Sequence, residues 1–147
     1  MKIIFKKSKI FYGSSLEKFS KINNQAGAVL TFVGKVRPKN NNKNITSIEI
    51  EIYEKMATVQ MEKIISKLNA KYDILDYLII HRYGKVYPGE TIVTVFVCSK
   101  HRKEAFRFIE ETVDWLKVKI TFWKKENYES HSEWVEQKKK DKEFATD

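Results

Sequence analysis

The sequence predicts an α+β domain, and three observations carry that prediction. Apolar runs of strand length recur at residues 27–36, 45–53, 74–83 and 91–99. Stretches with apolar residues at three- and four-residue spacing fall between and after them. The order is strand, helix, strands, helix, strands, helix, strand, with hairpin-like turns. Strict alternation of strand and helix, the mark of a doubly wound parallel sheet, is absent. At 147 residues the chain is long enough for one well-filled core, and it shows no internal repeat or linker, so residues 1–147 are read as a single domain.

Taken in order, residues 2–12 (KIIFKKSKIFY) read as a short strand without clean alternation. Ser14 and Glu17 have capping-box spacing, with Ser14 as N-cap, so a short helix should follow with Leu16, Phe19 and Ile22 on one face. Residues 27–36 (GAVLTFVGKV) are apolar nearly throughout, which points to a buried or central strand, and Gly34 within them suggests a bulge or a close backbone approach. Arg37-Pro38-Lys39 and the asparagines to Asn44 form a polar loop carrying Lys35, Arg37, Lys39 and Lys43. That loop is either a mobile, solvated tip or a flap that orders on an anion.

Residues 45–53 alternate, with Ile48, Ile50 and Ile52 opposite Ser47, Glu49 and Glu51. A helix over about 55–68 should bury Met61, Ile64, Ile65 and Leu68. Residues 74–83 form a mainly apolar strand, and Tyr87-Pro88-Gly89-Glu90 places proline and glycine where a turn favours them. Residues 91–99 (TIVTVFVCS) are the clearest strand, with Cys98 an inert buried thiol on it. Ser99 is placed to cap a helix running to about Val118, with a core stripe of Phe106, Ile109, Val113 and Leu116. Ile120, Phe122 and Trp123 should anchor a last strand. Beyond Glu126 the chain turns polar, Trp134 is expected to pack, and the last ~10 residues of the charged tail read as disordered.

The bulk numbers exclude several classes. No apolar run approaches the roughly 20 residues that span a bilayer, and Lys6 and Lys7 interrupt the N-terminus before an h-region can form. One cysteine provides neither an internal disulfide nor a cysteine cluster for zinc, which fits a reducing cytoplasm. The net charge of +9 lies in the first third: residues 1–44 hold ten Lys or Arg against Glu17 alone. Such asymmetry suits an anionic partner or ligand. There is no glycine-rich phosphate loop, no metal-ligand spacing among the three histidines and no nucleophile elbow.

What remains is a cationic constellation. Arg37 follows a core strand. His101 and Arg102 lie in the first turn of a helix, where backbone donors and cations together make an anion site. Lys117 and Lys124 flank the junction of that helix with the final strand. Lysine at a helix C-terminus is also favoured by the helix dipole alone, and most lysines are solvated surface. Amines held on packed elements can nevertheless be positioned, and crowded cations depress lysine pKa, making an amine available as base or nucleophile. A nonenzymatic RNA-binding module is the competing reading, using the basic first third with Phe5, Phe11, Tyr12 and Phe32 as stacking surface.

Four blocks then carry a resemblance: GAVLTFVGKVR at 27–37, IHRYGKVYPGE at 80–90, SKHRKEAF at 99–106, and DWLKVKITFWKKE at 114–126 followed by Trp134-Val135-Glu136. In these the chain resembles the large, catalytic subunit of molybdopterin synthase. The resemblance implies an α/β hammerhead-type fold and a homodimer, each copy binding a small ubiquitin-like sulfur carrier to give a heterotetramer. It implies transfer of two sulfurs from the carrier's C-terminal Gly-Gly thiocarboxylate to cyclic pyranopterin monophosphate, forming the dithiolene. It places catalysis on Lys117 and Lys124, and substrate binding on Lys35, Val36, Arg37, His101, Arg102, Lys125 and Glu126. No metal, organic cofactor, nucleic acid or membrane is expected. The asparagine-rich 39–44 loop and the lysine-rich tail depart from the family pattern.

Overall fold

A computed structural model describes residues 1–120, 122–129 and 131–135; the charged tail read as disordered, and Glu136, lie outside the described residues. The order is β1 (Lys2–Lys6), α1 (Tyr12–Ile22), β2 (Ala28–Lys35), β3 (Lys39–Asn40), β4 (Lys43–Ile52), α2 (Glu54–Lys71), β5 (Asp76–Arg82), β6 (Gly84–Val86), β7 (Thr91–Ser99), α3 (Arg102–Val118), β8 (Phe122–Tyr128) and β9 (Ser132–Trp134). One sheet runs β1-β5-β7-β2, with β1 parallel to β5 and the other pairs antiparallel. A second, antiparallel sheet runs β3-β4-β8-β9, with β6 also pairing β4. The predicted α+β class, with mixed and antiparallel sheets and three helices among the described residues, is the one observed.

β7 explains why its sequence is continuously apolar. Val95 and Val97 face the main core, which Met61, Ile64, Ile65 and Leu68 of α2 and Phe108 and Leu116 of α3 fill from above. Phe96 and Cys98, on the other face, are covered by Phe19 of α1. Each such side chain contributes roughly 1.5–3 kcal/mol on burial. A separate core under the second sheet holds Val36, Ile45, Ile48, Ile50, Val86, Ile92 and Tyr128. Phe122 packs against both cores and so ties the start of β8 to the two sheets.

Several local readings are corrected. β2 is an edge strand and alternates between half-buried and exposed residues. Its bulge does fall at Gly34/Lys35, where a Cβ on Gly34 would come within 2.7 Å of Val93 Cγ1. The asparagine loop is a hairpin: β3 pairs with the start of β4, and Asn41 and Asn42 take φ of 51° and 63°, the left-handed pair that a tight hairpin turn requires. α1 begins before Ser14, whose hydroxyl donates back to the Phe11 carbonyl, and Ile22 is exposed. α3 starts at Arg102 with His101 as N-cap; Ser99 Oγ donates to the His101 carbonyl at 2.5 Å instead of capping the helix. The fully buried residues of α3 are Ala105, Phe108, Thr112 and Leu116; of the expected stripe, Ile109 and Val113 pack half-buried against the core and Phe106 is exposed. Trp123 and Trp134 are exposed as well.

Candidate active site

The junction of α3 with β8 places the two predicted catalytic lysines. Lys117 lies in the last turn of α3, where the helix dipole favours a cation. Ile120, buried at 3%, pins the connection, and β8 then runs between β4 and β9 with Lys124 opposite Ile50. Strand alternation sends Phe122, Lys124 and Glu126 to one face of β8 and Trp123 and Lys125 to the other. Lys124 is held below the ordinary lysine range, first by burial and second by the charge of Lys117, with Glu126 opposing in part. Two amines are thus brought within electrostatic reach, one exposed and one desolvated. A desolvated amine near a cation loses its proton more readily, so the pair can supply a cation and a proton acceptor at one place.

Glu126 is buried and accepts hydrogen bonds from Asn40 Nδ2 at 3.0 Å and from the Tyr128 hydroxyl. It therefore fastens the β3–β4 hairpin to β8. A cleft of about 430 Å³ opens beside it, lined by Arg37, Asn40 and Asn41 on the hairpin side and Glu133, Trp134 and Val135 on the β9 side. Val36 directs Arg37 there: its side chain is buried, its N–H donates to the Glu90 carbonyl at 3.0 Å, and its own carbonyl accepts from Gly89 at 2.8 Å. Arg37 and Lys35 are exposed. Lys125 points away from Lys124; it pairs with Glu49 at 3.7 Å and lies 6.0 Å from the Trp134 ring centroid.

His101 and Arg102 are not part of this cluster. They stand exposed at the opposite end of α3, roughly 22 Å from Lys117 at the ~1.5 Å rise of a helix. Gly27 sets their position. Its N–H donates to the Ser99 carbonyl at 3.0 Å, and a Cβ there would lie 2.1 Å from the Lys100 carbonyl oxygen. A larger cleft, about 580 Å³ between α2 and α3 and lined by Val59, Lys63, Lys67, Trp115 and Lys119 among others, contains none of the predicted site residues. Among the described residues, no three His, Cys, Asp or Glu side chains converge to hold a metal ion.

Two contributors went unread in the sequence. Asn40 looked like one of a run of loop asparagines, yet it ties Glu126. His81, within the apolar β5, is 4% exposed and stacks on Phe122 with ring centroids 4.1 Å apart. Its imidazolium is disfavoured, the pKa falling to about 3, mainly through burial and then through the charge of Lys124. The available signal was a histidine in phase with Tyr77 and Ile79 on a strand's core face.

Comparison with known proteins bears on this geometry. Residues 6–119 match the family model described as "MoaE protein". The match includes Lys35, Arg37, His101, Arg102 and Lys117 and stops short of Lys124. The molybdopterin synthase catalytic subunit of Ralstonia nicotianae is 39% identical over 112 residues, which are 76% of this chain and 64% of that protein's length. Among solved structures, molybdopterin synthase from Staphylococcus aureus superposes with a TM-score of 0.83 at 31% identity, covering 92% of this chain and 98% of that one. The complex of subunits 1 and 2 of the molybdopterin-converting factor from Helicobacter pylori gives a TM-score of 0.77 at 21% identity, covering 92% and 91%, and speaks for the fold.

Proposed function

This chain belongs to the MoaE family, the catalytic subunits of molybdopterin synthase in molybdenum cofactor biosynthesis, and from that premise we propose the chemistry its site performs. Two sulfurs pass from the C-terminal thiocarboxylate of a small ubiquitin-like carrier to cyclic pyranopterin monophosphate, forming a dithiolene. The observation that carries the reading is the Lys117–Lys124 pair, with Lys124 depressed by burial and by its neighbour. A thiocarboxylate is both an anion and an acyl donor. Lys117, exposed at the helix end, attracts the anion and acts at the reacting centre by proton transfer or, after passing its own proton to Lys124, by transient capture of the carrier carbonyl. In that capture its nitrogen bonds to the carbonyl carbon as the bond to the sulfur, now carried by the pterin, breaks, and water then releases the carrier as a carboxylate. Lys124 positions the pterin or the tail and exchanges the proton.

The pterin's phosphate gives Arg37, His101 and Arg102 their purpose, with Lys35 adding positive charge and Glu126 and Val36 holding the hairpin that presents Arg37. One chain keeps His101 and Arg102 about a helix length away from Lys117. Their use on one substrate requires a second copy, so the working form is a homodimer, with one carrier on each chain. The exposed face of Lys125 is left for the carrier or substrate rim. The setting is the cytoplasm.

Of the four aromatics the RNA-binding reading relies on, Phe5 and Phe32 pack against the main core, and Phe11 and Tyr12 stay exposed at the start of α1, too few for a stacking platform. Complementation tests the proposed assembly. Lys117→Ala and Arg102→Ala proteins, each inactive alone with thiocarboxylated carrier and cyclic pterin, should regain product when mixed and allowed to exchange chains. Failure of a mixed dimer to regain activity would refute the two-chain site. Absence of product from wild type with carrier bound would refute the reaction.

A further inference from the structure

The site contains a side chain to which the proposed reaction gives no task. His81 closes the core face of β5 beneath β8. Its ring stacks on Phe122 at 4.1 Å with planes 13° apart, and Phe5 of β1 flanks it at 6.4 Å. Nδ1 lies 2.8 Å from the Arg82 carbonyl oxygen. A carbonyl only accepts, so Nδ1 carries the hydrogen and Nε2 the lone pair, which fixes one neutral tautomer. Phe122 and Lys124 are two residues apart on β8 and project to the same face. The ring therefore seats a residue that shares its strand face with Lys124, and the Lys124 charge reaches the ring.

We propose that His81 is a positioning residue for Lys124: an uncharged aromatic ring that seats Phe122 and thereby holds the Lys124 amine partly desolvated and beside Lys117. The proposal rests on the reading of Lys124 as part of the sulfur-transfer site. Lys124 is faced by Lys117 from α3, by Glu126 on its own strand and by His81 from β5. A protonated ring would add a third positive charge to two lysines. An aliphatic side chain would remove the flat support under Phe122 and admit water. Phenylalanine preserves both the stack and the neutrality.

Reading Lys124 itself separates positioning from mere folding. Trace acylation of the full-length protein across pH, followed by mass spectrometry, gives the Lys124 titration without substrate. In His81→Phe the midpoint should stay within about half a pH unit of wild type, and in His81→Leu it should rise by about one pH unit or more toward ordinary lysine. The single-turnover rate of His81→Leu at neutral pH should fall about tenfold and recover as the pH is raised. A folded His81→Leu protein with an unmoved Lys124 titration would overturn the proposal, as would a rate loss equal at every pH. Should Lys124→Ala retain full turnover, the catalytic reading of Lys124 falls, while the titration still decides whether His81 positions the amine.

Discussion

Lys124 is half-buried within electrostatic reach of Lys117, and the second amine helps to hold the first below the ordinary lysine range. Burial is the larger cause, so removing the neighbour's charge should restore only part of the shift. In Lys117→Met the Lys124 titration, followed by amine acylation, should move upward yet stay below 10.5, the ordinary lysine value. A return all the way to that value would show that charge, not burial, sets it.

His81 makes stability pH-dependent with a definite sign. Its folded pKa of about 3 lies below the ordinary 6.5, so between those values the unfolded chain binds the extra proton. The contribution is complete above pH 6.5 and is lost as the pH falls toward 3, by about 1.4 kcal/mol per pH unit at the steepest. Urea unfolding at pH 7, 5.5 and 4.5 should show this slope in wild type and a shallower one in His81→Phe. Equal slopes would contradict the assignment.

Glu126 is the clasp between the β3–β4 hairpin and β8. Glu126→Ala leaves Asn40 and Tyr128 without their acceptor and should cost about 1–3 kcal/mol. Hydrogen exchange of residues 39–44 should accelerate along with it. Unchanged protection of that hairpin would show that it is held by something else.

Gly27 has no room for a methyl group, because the Lys100 carbonyl oxygen would lie 2.1 Å from its carbon. Gly27→Ala should destabilise the protein by about 1–3 kcal/mol, measured by denaturant unfolding, as the start of α3 is pushed away. Binding of a phosphate-bearing pterin should weaken in parallel, since His101 and Arg102 move with that turn. Wild-type stability would mean the junction yields freely.

The fold was legible where hydrophobic pattern and burial coincide. β7 is apolar on both faces because α1 covers one and α2 and α3 the other, and α2 buries the four residues its spacing named. On α3, Leu116 is buried and Ile109 and Val113 pack half-buried against the core as their spacing says, but Phe106 faces outward and Ala105 and Thr112 occupy core positions, Thr112 bonding back to the Phe108 carbonyl at 2.7 Å. Hydrophobicity alone ranks those residues the wrong way. β2 looked central because strand apolarity does not say which neighbour is missing. Of the site, the Lys117–Lys124 pairing was readable because the helix end and the strand adjoin in sequence. The separation of Arg102 from Lys117 follows from helix length, and His81 enters only through β5 packing under β8, a long-range contact that no local pattern encodes.

The role proposed for Lys117 is to act at the reacting centre. Its direct test is single-turnover conversion of cyclic pyranopterin monophosphate by thiocarboxylated carrier, comparing wild type with Lys117→Ala at matched carrier occupancy. Wild type should give product, and the variant should lose about a hundredfold or more in rate. Equal rates in the two proteins, with carrier bound alike, would contradict it.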